Sequence, residues 1–150
     1  MKERCFEDFN PGDVLESDTL AVTGAAIVEF AQQFDPQIFH LDRKSAEQTM
    51  VKGLIASGWH TAAISMRLFV ETMNVPGGII GLGVDKLRWP HPVRPGDELR
   101  LEIQILDTRL SKSRPGAGIV RIQNTTRNQS GEVVQSFIAG AMVPTREGNF

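Results

Sequence analysis

Asp35 and His40, two side chains that can share a proton, stand five residues apart in the segment FDPQIFH. Pro36 lacks an amide hydrogen and pushes the residue before it out of the α region, so an incoming helix should stop there. Asp35 then sits at the mouth of a loop, and His40 returns at its far side. A carboxylate and an imidazole facing one cavity can hold and activate a single water, the basic unit of general acid–base chemistry. The same residues also admit a structural reading, with Asp35 turning the chain and His40 packed in the core.

The elements around this loop decide whether the pair can meet. Thr23 is placed to cap a helix whose Ala26, Ile27, Phe30, Ala31 and Phe34 share one face, with Glu29, Gln32 and Gln33 opposite. Asp42 can cap a short helix through Ala46 and Gln48, and Gly53 closes the linker after it. A third helix, from about Trp59 to Met73, is apolar nearly all round; only Arg67 and Glu71, spaced to pair, look solvated. Such a helix must be enclosed, and a curved sheet is the natural enclosure. Asn74, Pro76, Gly77 and Gly78 stop it.

Strands make up most of the rest. A strand-like piece through Leu20 and Val22 follows the Pro11-Gly12-Asp13 turn. Gly78 to Val84 leads to LRWPHPVRPGDEL, where Pro95-Gly96 fits a type II turn. Leu99, Leu101, Ile103 and Ile105 alternate with polar residues, the period of a half-buried strand. Two further strands are expected from Ile119 to Thr126 and from Val133 to Val143. Helices first, then consecutive antiparallel strands joined by polar turns, make an α+β arrangement.

Composition narrows the partners. A net charge of −2 with scattered basic residues leaves no field for nucleic acid or an anionic membrane. A chain of 150 residues reads as one domain, residues 1–150, able to bury a core without staples. The single cysteine, Cys5, suits a reducing compartment and has no neighbour that would activate it. With neither a signal-peptide core nor an apolar run of ~20 residues, a cytoplasmic protein is expected.

The order of helix, acid–proline–histidine loop, short helix, glycine, long apolar helix and strands resembles the MaoC-like dehydratases of the hotdog fold, which include the (R)-specific enoyl-CoA hydratases. The signature of those hydratases is D-x-N-P-x-H. Asp35 and His40 match its first and last positions; Gln37 stands where it has asparagine, and Pro36 lies two positions early. The likeness runs from FNPGDVLE to the VRPGDEL turn.

The resemblance implies a hotdog α+β domain that hydrates a trans-2-enoyl-CoA or dehydrates a 3-hydroxyacyl-CoA, carried on CoA or acyl carrier protein. Asp35 and His40 would hold the water, either of them serving as base. The amide of Gly58, at a helix start after Ser57, would face the thioester carbonyl. Ser57 either caps that helix or bonds Asp35. Trp59 either packs there or lines the acyl pocket. Arg88, His91 and Arg94 flank a loop that could meet coenzyme A phosphates. His40, His60 and Asp35 match no zinc spacing, so neither metal nor cofactor is expected. A homodimer joined edge to edge follows, with Leu99–Ile105, Ile119–Thr126 and Val133–Val143 lacking prolines that would blunt an edge. Two other readings share the fold: a thioesterase, for which Glu71 is the one carboxylate inside the long helix, and a non-catalytic acyl-thioester binding module.

Overall fold

Proline and glycine punctuation sets the order of elements in the computed structural model, which describes residues 1–148. Gly12, at φ +93°, turns the chain into β1 (Val14–Ala21). The Thr23 hydroxyl accepts the Ala26 amide at 3.1 Å and starts α1 (Gly24–Phe34), which ends one residue short of the Asp35-Pro36 pair. Two one-turn helices follow, α2 (Ile38–Leu41) and α3 (Arg43–Ala46), the second capped by the Asp42 carboxylate. The long helix α4 (Gly58–Met73) stops at Asn74, whose left-handed backbone breaks the ladder. Then come β2 (Ile80–Arg88), β3 (Glu98–Leu110), β4 (Ala117–Arg127) and β5 (Val133–Pro144).

The strands form one antiparallel sheet in the order β1-β3-β4-β5-β2. Alternation along β3 sends Leu99, Leu101, Ile103 and Ile105 to one face, all fully buried. Ile27, Ile64, Leu68 and Met73 meet that face from the helical side. Truncating Leu101 or Ile103 to alanine there should cost about 2–5 kcal/mol. Helix and sheet are also tied by a polar link: the Ser65 and Thr126 hydroxyls lie 2.7 Å apart in the interior. This is the expected hotdog arrangement, a sheet wrapped on one long helix.

Three expectations need correction. The strands taken as edges, Leu99–Ile105, Ile119–Thr126 and Val133–Val143, occupy the interior of the sheet; its edges are β1 and β2. β2 is exposed along nearly its whole length and carries two register shifts, the irregularity common at sheet edges. Second, α4 is not enclosed all round. Trp59, Met66 and Val70 are more than half exposed on one side, while Thr61, Ser65 and Thr72 are buried on the other. Overall apolarity hid the fact that the sheet covers only part of the helix. Third, Phe34, assigned to the buried face of α1, is 69% exposed; it is the last residue of the helix and rests only against the ring of Phe30, with ring centres 5.2 Å apart, among the aromatic contacts of the described residues.

Candidate active site

The end of α1 and the one-turn helix after it bring the acid and the imidazole together. Asp35 closes α1, its amide still bonded to the Ala31 carbonyl at 3.0 Å. The Gln37 amide reaches back to the Asp35 carbonyl at 2.8 Å, and α2 then carries His40 inward, where it is buried. Asp35 Oδ2 lies 3.3 Å from His40 Nε2. On its other side the imidazole meets the Ile55 carbonyl, 2.7 Å from Nδ1. A carbonyl only accepts, so Nδ1 carries the hydrogen and Nε2 faces the carboxylate: the protonated ring donates to Asp35 from Nε2, and the neutral ring presents a lone pair there. A water touching both atoms would be bonded by acceptors on two sides.

Three neighbours keep Asp35 ionised. Partial burial pushes its carboxyl up, but the Ser57 hydroxyl, the Gln37 amide and the His40 imidazole together hold it below the ordinary carboxylate value. Gln37 Nε2 donates to Asp35 Oδ1 at 2.7 Å. Ser57, fully buried, accepts the Trp59 amide at 3.3 Å as the cap of α4, which leaves its own proton for the carboxylate. The two roles weighed for Ser57 are therefore compatible.

Gly58 opens α4, and among the described residues its amide donates to no protein acceptor. It lines a cavity of about 280 Å³ with His40, Thr61, Trp89, Val93 and Val134. Trp89 lies directly over Gly58, held there by an indole bond to Gln135 Oε1 at 2.8 Å. Trp59 does not line this cavity; it stands 60% exposed, edge-on to Trp89 with ring centres 5.2 Å apart.

The remaining candidates are dispersed. Arg94 is tied to the Val51 carbonyl at 2.8 Å and braces the linker before α4. Arg88 borders, with Lys86, Gln123 and Ser136, a depression of about 390 Å³ on the sheet face turned away from α4. His91 sits on the loop that covers the cavity, bonded to the Val133 carbonyl at 3.0 Å. That loop therefore lies against the cavity of its own chain. His60 is buried and stacked on Phe30 with ring centres 4.8 Å apart, and burial pushes its pKa down. Among the described residues no group of three or more His, Cys, Asp or Glu side chains is placed to hold a metal. Glu71 is exposed and bonded to Arg67 at 3.0 Å, away from any cavity with the dyad.

Sequence reasoning missed Trp89, Thr61, Gln135 and the Ile55 carbonyl. No spacing rule connects them to the FDPQIFH loop, because each comes from a different element and only the fold brings them to it.

A carboxylate and an oriented imidazole beside a free helix-start amide, on a sheet that wraps one helix, define a hotdog domain of the dehydratase type. The sequence model of the MaoC like domain matches residues 8–128, and the chain belongs to the MaoC-like dehydratase family. The structure resembles the MaoC-like dehydratase from Rhodospirillum rubrum, which is 49% identical, with a TM-score of 0.89 over 95% of this chain and 98% of that one. It also resembles the R-hydratase PhaJ1 of Pseudomonas aeruginosa, at 28% identity and a TM-score of 0.80 over 95% and 86% of the two chains. The protein YdeM of Bacillus subtilis is 34% identical over 82% of this chain and 86% of its own length.

Proposed function

We propose that this protein is a hydro-lyase for acyl thioesters, interconverting a trans-2-enoyl thioester and its 3-hydroxyacyl counterpart. The observation that carries the reading is the Asp35–His40 pair, 3.3 Å apart, with the imidazole tautomer fixed by the Ile55 carbonyl. In the hydration direction, His40 Nε2 takes a proton from the water as its oxygen bonds to C3. The imidazolium then returns that proton to C2, so the elements of one water are added across the double bond. The Asp35 carboxylate accepts a hydrogen bond from the second hydrogen, which stays on the oxygen, and so orients the water. The Gly58 amide, helped by the amino-terminal end of the α4 dipole, stabilises negative charge developing on the thioester oxygen. The likeness to an R-hydratase supports this reaction class. A thioesterase reading lacks a placed acid, since Glu71 is exposed and paired with Arg67.

The acyl carrier reaches the site from the Trp59–Trp89 side, where both rings remain accessible. Arg88 and Lys86, unlike the engaged Arg94, are exposed and suit a coenzyme A phosphate. A second copy of the chain would cover the exposed stripe of Trp59, Met66 and Val70 and the β2 edge with Ile80, Leu82 and Val84. No helix among the described residues is long and apolar enough to cross a membrane. The deciding experiment follows the absorbance of the conjugated thioester with crotonyl-CoA and with longer and branched enoyl-CoAs. Loss of that absorbance, with 3-hydroxyacyl-CoA as product, is expected. Release of free CoA instead would replace the reading with thioester hydrolysis.

A further inference from the structure

Neutral donors and one titratable ring hold the Asp35 carboxylate. Ser57 reaches it from the start of α4, Gln37 from the turn into α2, and His40 from α2 itself. Among the described residues no lysine or arginine pairs with it. Its two oxygens are divided between partners: Gln37 Nε2 donates to Oδ1 at 2.7 Å, and His40 Nε2 lies 3.3 Å from Oδ2. A carboxylate only accepts, so the nitrogen end of the Gln37 amide is the end that faces it.

The Gln37 side chain has no structural task of its own. It stands at the position that should cap α2, yet it makes no capping bond there, and it is exposed. Among the described residues its amide group makes one hydrogen bond, the one to Asp35.

That bond matters most in the state that can act as a base. When His40 is protonated, Nε2 donates to Oδ2 and anchors the carboxylate. When His40 is neutral, a lone pair faces Oδ2 instead, and that anchor is lost. The last torsion of an aspartate is soft and two-fold, so fixing one oxygen decides where the other points. A carboxylate that turned away would leave the water unheld. One that took a proton and shared it with Nε2 would occupy the lone pair the water needs.

We infer that Gln37 is a positioning residue: it occupies Oδ1 so that Asp35 stays ionised with Oδ2 turned toward the water while His40 is neutral. The catalytic consequence rests on the hydro-lyase reading; the hold on the carboxylate does not.

Two variants at this exposed position test the inference without disturbing the core. Gln37→Leu removes the donor, and Gln37→Glu keeps the length but presents an acceptor. The chain has three histidines, so the His40 ring protons can be followed by NMR through a pH titration and assigned by their loss in His40→Ala. In both variants the Asp35–His40 pair should take up its proton at higher pH than in the parent, because ionised Asp35 has lost a donor. With crotonyl-CoA, kcat should fall about 5- to 30-fold while KM stays within about twofold. The acid limb of kcat/KM should move to higher pH along with the titration. A merely structural amide would leave the titration in place, and an unmoved titration in both variants overturns the inference whether or not turnover is seen. Parent-level kcat in both variants would overturn the positioning role. A moved titration in a protein whose parent form hydrates no enoyl-CoA would remove the hydro-lyase reading and leave the hold of Gln37 on Asp35 standing.

Discussion

The indole of Trp89 occupies the space in which a side chain at Gly58 would begin: a Cβ there would lie 2.6 Å from Trp89 Cε2. Real Cβ atoms do not approach that closely, so the glycine is what allows the ring to close over the helix start. Gly58→Ala should displace Trp89 and break its bond to Gln135. A changed tryptophan emission, together with a loss of hydration activity of at least about tenfold, is expected. An unchanged spectrum and rate would show that the ring has no part in shaping the site.

Asp35→Asn and His40→Ala should each lower the hydration rate by about 10²–10⁴-fold while circular dichroism stays that of the parent. Asn at position 35 keeps the shape and the contact with Gln37 but removes the charge. Parent-level rates in either variant would dismiss the dyad.

Burial holds the His60 pKa below its ordinary 6.5, since the charged ring would lose its hydration. As pH falls below 6.5, the unfolded chain takes up protons that the folded one resists, so stability should decline. His60→Phe removes the titrating group and should flatten that decline in denaturant titrations. Asp35 acts in a lower window: its folded pKa is depressed, so its contribution is complete above 3.8 and is lost as pH falls below it. Identical pH profiles for the parent and His60→Phe would sink the first assignment.

Cys5 should be chemically quiet. Burial and the Asp8 carboxylate, 3.1 Å from the sulfur, push its thiol up to about 11. A disulfide reagent at neutral pH should therefore label the folded protein far more slowly than the denatured one. Fast labelling of the native chain would contradict that placement.

Association should depend on β2 and on the open side of α4. Val84→Lys and Val70→Glu place charge where a second copy would pack, and light scattering should show a shift toward the 16.5 kDa monomer. A parent protein that already scatters as an active monomer would overturn the dimer.

The dyad was legible because proline, aspartate and histidine act locally: the helix stop at Asp35 and the return at His40 follow from backbone chemistry within six residues. The strand alternation in β3 was legible for a similar reason. The strand order was not, since β2 joins the far side of β5 across a long connection that no local pattern encodes. The open stripe of α4 was hidden because Met66 and Val70 have the composition of a core face.

β2 is hydrogen-bonded to one neighbour alone, and almost nothing shields its two faces. In a monomeric variant such as Val84→Lys its amides should exchange with deuterium well ahead of those in β3 and β4, in a local opening that leaves the central sheet intact. Because β2 is also one wall of an apolar cavity beside Phe69 and Phe137, each such opening would let water into it. Its exchange protection should rise when a second copy packs on that edge, giving the strand the character of a door that the assembly holds shut.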